Sequence, residues 1–283
     1  MEIIYKKVKA EDYGDILDIA KDIWGGSDYL PHVFHQWVED KGYFLGAYNR
    51  QGKLVGCSKL TFLLDKTGWL EGLRVHVDYR NLGIGKELAK RTLDIAKNFL
   101  QKGEIERIAF ATHVTNRESI HINSRFGYQK IWQNIIVSKD DNYLPKMKKE
   151  EFKVEHFQMT YQEFMELEYT KKHKGLISLA FRLEKATEEV IAKMNKKGQF
   201  ISINGYKGMF ENKGEISFES FELNPEAIHL FYEYFSIIAK EQDLQLPCTT
   251  LLEEELIIKD QLVQYDFETW YDWQPDYFYY ELT

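Results

Sequence analysis

The sequence predicts a mixed α/β protein built as two domains, and three observations carry that reading. Its 283 residues exceed one small domain and suit two. Strand-like runs alternate with stretches whose apolar residues recur every three to four positions. A polar, highly charged stretch over residues 139–151, with Pro145 inside it, reads as a linker. It separates a first domain at 1–138 from a second at 152–283.

Residues 3–8 read as a short strand. A helix follows, with Ile16, Leu17, Ile19, Ala20 and Ile23 on its apolar face, and Gly25-Gly26 ends it. Pro31 suits the first turn of a second helix. Strands are expected at 43–48 and 54–64, around a turn at 49–52, and at 69–77. Over 83–102, Ile84, Leu88, Ala89, Leu93, Ala96, Phe99 and Leu100 make one apolar stripe. A strand at 105–111, a helix at 117–126 and a strand at 128–137 complete a layered α/β domain. The second domain is expected to hold helices at 161–172, 186–196 and 253–264. Its strands are expected at 198–206, 215–221, 244–249 and 277–282. Asn224-Pro225 supplies an N-cap and a first-turn proline for a further helix, buried through Ile228, Phe231, Tyr232, Phe235 and Ile238. The second half repeats the strand–strand–helix–strand–helix–strand order of the first, without a sequence repeat.

Hydrophobic residues at 44% and charged residues at 29% allow ordinary cores. A net charge of −8 argues against a general nucleic-acid binder and against an anionic membrane surface as partner. It leaves room for a local basic patch around a phosphate-rich ligand. Two cysteines, Cys57 and Cys248, do not make a disulfide scaffold. The first residues lack the apolar core of a signal peptide, and no apolar run reaches membrane-spanning length. A soluble cytoplasmic protein is expected.

The chemistry concentrates in residues 71–86, where a strand runs into a glycine-rich turn that opens the long helix. Such a turn aims several backbone N–H groups at one point, and the helix start adds partial positive charge. Gly83 and Gly85 remove side chains that would block a phosphate, while Arg80 and Lys86 add charge. The physical reading is a pyrophosphate cradle; the alternative is a tight turn without a ligand. The run Val75-His76-Val77-Asp78-Tyr79-Arg80-Asn81-Leu82-Gly83-Ile84-Gly85 resembles the acetyl-CoA signature of the GNAT N-acetyltransferase superfamily. Val77 stands where that signature commonly has proline. The resemblance covers about residues 2–138.

It implies a GNAT-type mixed sheet flanked by helices, followed by a second α/β domain, itself a degenerate GNAT-like fold. It implies acetyl-CoA as co-substrate and no metal. Leu73 and Val75 would offer backbone groups to pantetheine, and Arg80, Asn81, Leu82, Gly83, Ile84, Gly85 and Lys86 would hold the pyrophosphate. Asn116, opening the next helix, would contact the pantetheine arm. Asn123 stands where many relatives have a tyrosine that protonates the leaving thiolate, and an amide cannot do this. His121 reads as a surface or packing residue.

Glu71 is the candidate base for the incoming amine, against a salt-bridged strand residue, with Arg74 as its partner, as the alternative. Arg74 could meet an acceptor carboxylate bidentately, or be an ordinary exposed strand arginine. The loop Gly25-Gly26-Ser27-Asp28-Tyr29-Leu30-Pro31 would cover the acceptor, with Asp28 and Tyr29 at the substrate. Asp28 to Pro31, Trp37 and Glu71 to Val75 together resemble the histidine N-acetyltransferase group. His32 and His35 read as packing or surface residues rather than a metal pair. The second domain lacks the pyrophosphate motif, which suits a structural partner that covers the acceptor site or forms a homodimer. Asp266, Trp270, Tyr271, Asp272 and Trp273 read as a packed loop, against the wall of a substrate pocket. The expected activity is acetyl transfer to a small-molecule primary amine, the α-amine of a free amino acid such as histidine. A non-catalytic acyl-CoA-binding module and a protein or peptide N-acetyltransferase are the rival readings.

Overall fold

The computed structural model describes residues 2–26 and 28–282. Ser27, in the loop expected to cover the acceptor, lies outside the described residues. The chain forms two compact units. One comprises Met1–Phe110, Asn116–Lys130 and Tyr280–Thr283, the other Ala111–Thr115 and Ile131–Tyr279.

The first unit is built on β1 (Ile4–Lys7), β2 (Tyr43–Tyr48), β3 (Leu54–Phe62), β4 (Thr67–Val75) and the start of β5 (Arg107–His113), adjacent in that order. β1 to β4 pair antiparallel, whereas β4 and β5 pair parallel. A parallel pair needs a crossover, supplied by α3 (Ile84–Gln101). Helices α1 (Tyr13–Ala20) and α2 (Leu30–Glu39) bury Ile16, Phe34 and Trp37 against Phe44, Tyr48 and Cys57. Other sheet residues, Leu45 and Val55, meet Ile84 and Leu88 of α3, and Leu93 and Ala96 meet Leu60, Ile108 and Phe110. Residues of β3 thus enter all three clusters, Leu54 and Cys57 one, Val55 another and Leu60 a third, and Leu54 to Leu60 are buried without a break. Each such apolar side chain contributes about 1.5–3 kcal/mol of burial free energy. α1 stops at Ala20, so Ile23 falls outside it, and Leu17 is 45% exposed rather than on the buried face. Helix α4 (Arg117–Ser124) opens on Asn116, whose side chain accepts from the Ser119 N–H.

The second unit holds most of β6 (Gln129–Ser138), followed by β7 (Val154–His156), α5 (Tyr161–Glu166) and α6 (Glu168–Lys172). Then come β8 (Leu176–Leu179), β9 (Arg182–Lys185), α7 (Glu188–Lys196), β10 (Phe200–Ile203), β11 (Tyr206–Asn212) and β12 (Ile216–Ser220). They are followed by α8 (Pro225–Glu241), β13 (Thr249–Leu251), α9 (Lys259–Gln264), β14 (Glu268–Thr269) and β15 (Tyr277–Leu282). An antiparallel sheet runs β12-β11-β10-β7, and β13 and β14 pair with β6. α8 buries Ile228, Phe231, Tyr232 and Phe235, as its spacing predicts, while Ile238 is only partly buried.

Three expectations are corrected here. The helix expected at 161–172 breaks at Leu167, whose ψ of 140° is extended. The strand expected at 198–206 is a hairpin, because Asn204 and Gly205 both take positive φ and turn the chain. The helix expected at 253–264 is a 3-10 turn over Glu253–Ile258 before α9 begins. Residues 139–151 lie inside the second unit and are tied to α8. The Lys139 N–H donates to the Tyr232 hydroxyl at 3.0 Å, and the Lys146 and Met147 N–H groups donate to Glu233 at 2.7 and 3.1 Å. Glu233 is fully buried and draws these donors because a buried carboxylate needs them. No helix among the described residues is long and apolar enough to cross a membrane.

Candidate active site

β4 organises the site. Its ladder with β5 has three pairs, Thr67–Arg107, Gly68–Ile108 and Trp69–Ala109, after which β4 runs on to Val75. Its register with β3 shifts between Cys57, opposite Arg74, and Lys59, opposite Glu71. Gly72 and Leu73 therefore oppose the single residue Ser58, which is a bulge. Gly72 sits at φ 65°, and a Cβ there would run into the Trp37 ring. Glycine is required on both counts, and its absent side chain lets α2 close on the strand.

Past Val75 the chain makes a tight turn into α3. Asn81 and Gly83 take φ of 62° and 79°. The first α3 hydrogen bond runs from Glu87 N–H to Gly83 C=O. The N–H groups of Ile84, Gly85 and Lys86 thus belong to the helix start, where no intrahelical acceptor exists. A Cβ at Gly83 would meet nothing within 4 Å, so the space in front of the turn is open. Arg80 and Lys86 are exposed beside it. This donor set, at the positive end of an 18-residue helix, fits a diphosphate.

On the acceptor side, Arg74 donates from Nε and Nη2 to the two Asp28 oxygens, with side-chain exposures of 13% and 0%. Arg74 is therefore not an exposed strand arginine, and it pairs with Asp28. Tyr29 lies under its guanidinium, 5.4 Å from ring centroid to Cζ, and meets Trp37 edge-on. Burial pushes the Tyr29 hydroxyl pKa upward. Glu71 accepts from the Thr61 hydroxyl, and its charge is felt at Tyr29. Asp28, Tyr29, Glu71 and Arg74, nominated from two stretches of sequence, thus meet in one cluster. Behind them Lys59 is fully buried, donating to the Trp37 carbonyl and to Asp40. Burial lowers its pKa. Cys57 is also buried, its thiol pushed up to about 12 by burial, which suits packing rather than nucleophilic attack.

Asn116 is exposed, with its carboxamide oxygen engaged as the α4 cap. Asn123 is buried and donates to the Ser119 carbonyl at 3.0 Å. His32, His35 and His121 are exposed, and among the described residues no three His, Cys, Asp or Glu are grouped to hold a metal. In the second unit the 266–273 loop is not packed throughout: Trp270 is 59% exposed, and Asp266 pairs with Lys146 at 2.6 Å. Sequence reasoning missed Thr61, the bulge at Gly72, and Asp18, which bonds His76 behind the turn. A lone glycine inside a strand pattern was the available signal for the bulge.

Comparison with known proteins bears on the same residues. The profile of the acetyltransferase (GNAT) family matches residues 13–128. This segment belongs to the GNAT family. The GNAT segment also aligns with curated histidine N-acetyltransferases. The Xenopus tropicalis protein is 28% identical over 100 residues, which are 35% of this chain and 31% of that protein. The Oreochromis niloticus protein is 29% identical over 89 residues, 31% of this chain and 26% of that protein. The match thus spans less than a third of the length of these curated relatives. In fold, the chain resembles a GCN5-related N-acetyltransferase from Sphaerobacter thermophilus, with a TM-score of 0.62 at 9% identity, covering 99% of this chain and 95% of that one. It also resembles a tandem GNAT protein from the clavulanic acid biosynthesis pathway, with a TM-score of 0.59 at 11% identity, covering 99% and 98%.

Proposed function

We propose that the protein is an N-acetyltransferase that moves acetyl from acetyl-CoA to the primary amine of a small molecule, with the α-amine of a free amino acid such as histidine as acceptor. The observation that carries this reading is the layout of β4. Its ladder with β5 ends at Trp69, Glu71 follows within two residues, and the diphosphate-fitting turn begins at its far end. Acetyl-CoA supplies an activated thioester. Residues of the turn, Arg80 to Lys86, would hold its diphosphate, and the β4 backbone at Leu73 and Val75 its pantetheine arm, with Asn116 beside it.

Glu71, steadied by the Thr61 hydroxyl, takes the proton from the incoming ammonium, directly or through water. Backbone N–H groups of β4 beyond Trp69 steady negative charge developing on the carbonyl under attack. The pair Asp28–Arg74 and the Tyr29 ring form the acceptor wall. Asn123 cannot supply a proton to the departing thiolate, so a water serves. The α-amine is the easier nucleophile, with a pKa near ~8 against ~10.4 for lysine, so about a tenth is neutral at pH 7. The likeness to histidine N-acetyltransferases supports the same choice.

A panel of free amino acids, polyamines and N-terminal peptides with acetyl-CoA, read by thiol release, tests this. Free amino acids should lead. Preference for polyamines or peptides would overturn the acceptor, and CoA binding without turnover on any amine would favour a non-catalytic acyl-CoA-binding module.

A further inference from the structure

We propose that the His76–Asp18 pair is a strut that fixes the phosphate-binding turn, so that helix α1 sets the affinity for the coenzyme. This rests on the turn being the diphosphate cradle. His76 is the first residue after β4 and is 4% exposed. Its Nδ1 lies 3.2 Å from the Asp78 N–H and accepts from it. The imidazole proton is thereby assigned to Nε2, which donates to Asp18 Oδ2 at 3.1 Å. The backbone of His76 is held as well: its N–H donates to Val55 C=O, and its C=O accepts from Tyr79 N–H, each at 2.9 Å.

Asp18 is a firm anchor. It also receives Lys21 at 2.5 Å and Lys53 at 2.6 Å. These hydrogen bonds, Lys21 first, hold its carboxyl well below the usual carboxylate range, so it remains an acceptor. A second tie comes from the β2–β3 turn, where Asn49 Nδ2 donates to the Tyr79 hydroxyl at 3.0 Å. Arg80 Nε folds back to the Val75 carbonyl at 3.2 Å. The turn is thus pinned on its inner side at His76, Tyr79 and Arg80, while Asn81, Leu82 and Gly83 stay exposed.

The division matters because anion binding through backbone N–H groups requires those groups to be aligned beforehand. Ordering one residue's backbone costs about 1–2 kcal/mol, and a loosened turn meets that cost when the ligand arrives. His76 makes no claim on the ligand itself; it is a positioning residue.

Calorimetry with CoA on the full chain tests the strut without an acceptor. His76→Asn keeps an oxygen near Nδ1 to accept from Asp78 but cannot reach Asp18. Asp18→Ala removes the anchor and keeps His76. Each should weaken CoA binding roughly tenfold, the equivalent of about one residue's ordering. The double variant should be no weaker than the worse single one, since both remove the same link. Circular dichroism should stay native, and the loss should appear in KM for acetyl-CoA rather than in kcat. Should His76→Asn fail to fold, His76→Gln, which keeps the reach to Asp18, should bind more tightly than Asp18→Ala. Wild-type affinity in folded variants, additive losses, or a Gln variant no better than Asp18→Ala would overturn the strut. A wild-type chain that does not bind CoA would instead overturn the reading of the turn.

Discussion

Arg74 and Asp28 face each other through two parallel hydrogen bonds, Nε to Oδ2 at 2.8 Å and Nη2 to Oδ1 at 3.0 Å. Asp28 stands just ahead of α2 and Arg74 near the end of β4, so the pair bolts the loop before α2 to the strand. Removing one partner strands a buried charge. Asp28→Ala should cost about 3–5 kcal/mol of stability, seen as a lower Tm, and the double variant Asp28→Ala with Arg74→Met should recover part of it. Equal Tm values for wild type and Asp28→Ala would show that the pair holds nothing.

Gly83→Asp should abolish most CoA binding. The left-handed φ of 79° strains any residue with a Cβ by about 1–2 kcal/mol, and the carboxylate repels phosphate at the helix start. Calorimetry should show a drop beyond tenfold in a chain whose circular dichroism is unchanged. Full affinity would remove the turn from the cofactor site.

Glu71→Gln keeps the shape of the side chain and its contact with Thr61 but cannot take a proton. Turnover should fall by roughly 10²-fold or more, with KM for acetyl-CoA nearly constant. The deficit should widen at low pH, where more of the acceptor arrives as ammonium. A deficit equal at every pH would assign Glu71 to positioning instead.

Lys139 provides a pH test in the second unit. Burial among Tyr143, Tyr232 and Phe267 lowers its pKa from 10.5 to about 8, and Glu233 only partly offsets this. Between those values the unfolded chain holds the proton and the folded chain does not. Stability from this group is therefore lowest below pH 8 and rises towards pH 10.5. The Tm of wild type relative to Lys139→Met should climb across that window. A constant difference would mean the lysine titrates alike in both states.

Much of the first unit was legible because its signals are local. The apolar stripe over 83–102 gave α3 to within a residue at each end, and Gly83 marked the turn before it. Asn204-Gly205 carried a hairpin signal of the same local kind, submerged in an apolar run read as one strand. What escaped were relationships across long separations. Asp28 and Arg74 are 46 residues apart, Asp18 and His76 58, and nothing in the spacing of either tells which charge meets which. The break at Leu167 has no glycine or proline to announce it.

The early end of the β4–β5 ladder bears on how the protein behaves in a tube. Two strands that part after three pairs leave a seam in the sheet, and main-chain groups along a seam recruit any extended segment that passes. An amide-bearing pantetheine arm lying there would close it, and a molecule that closes it favours the folded chain in proportion to the logarithm of its concentration. On the proposed function, this seam is the place where two copies would first stick without the coenzyme, so a preparation stripped of CoA is the one expected to clump on storage.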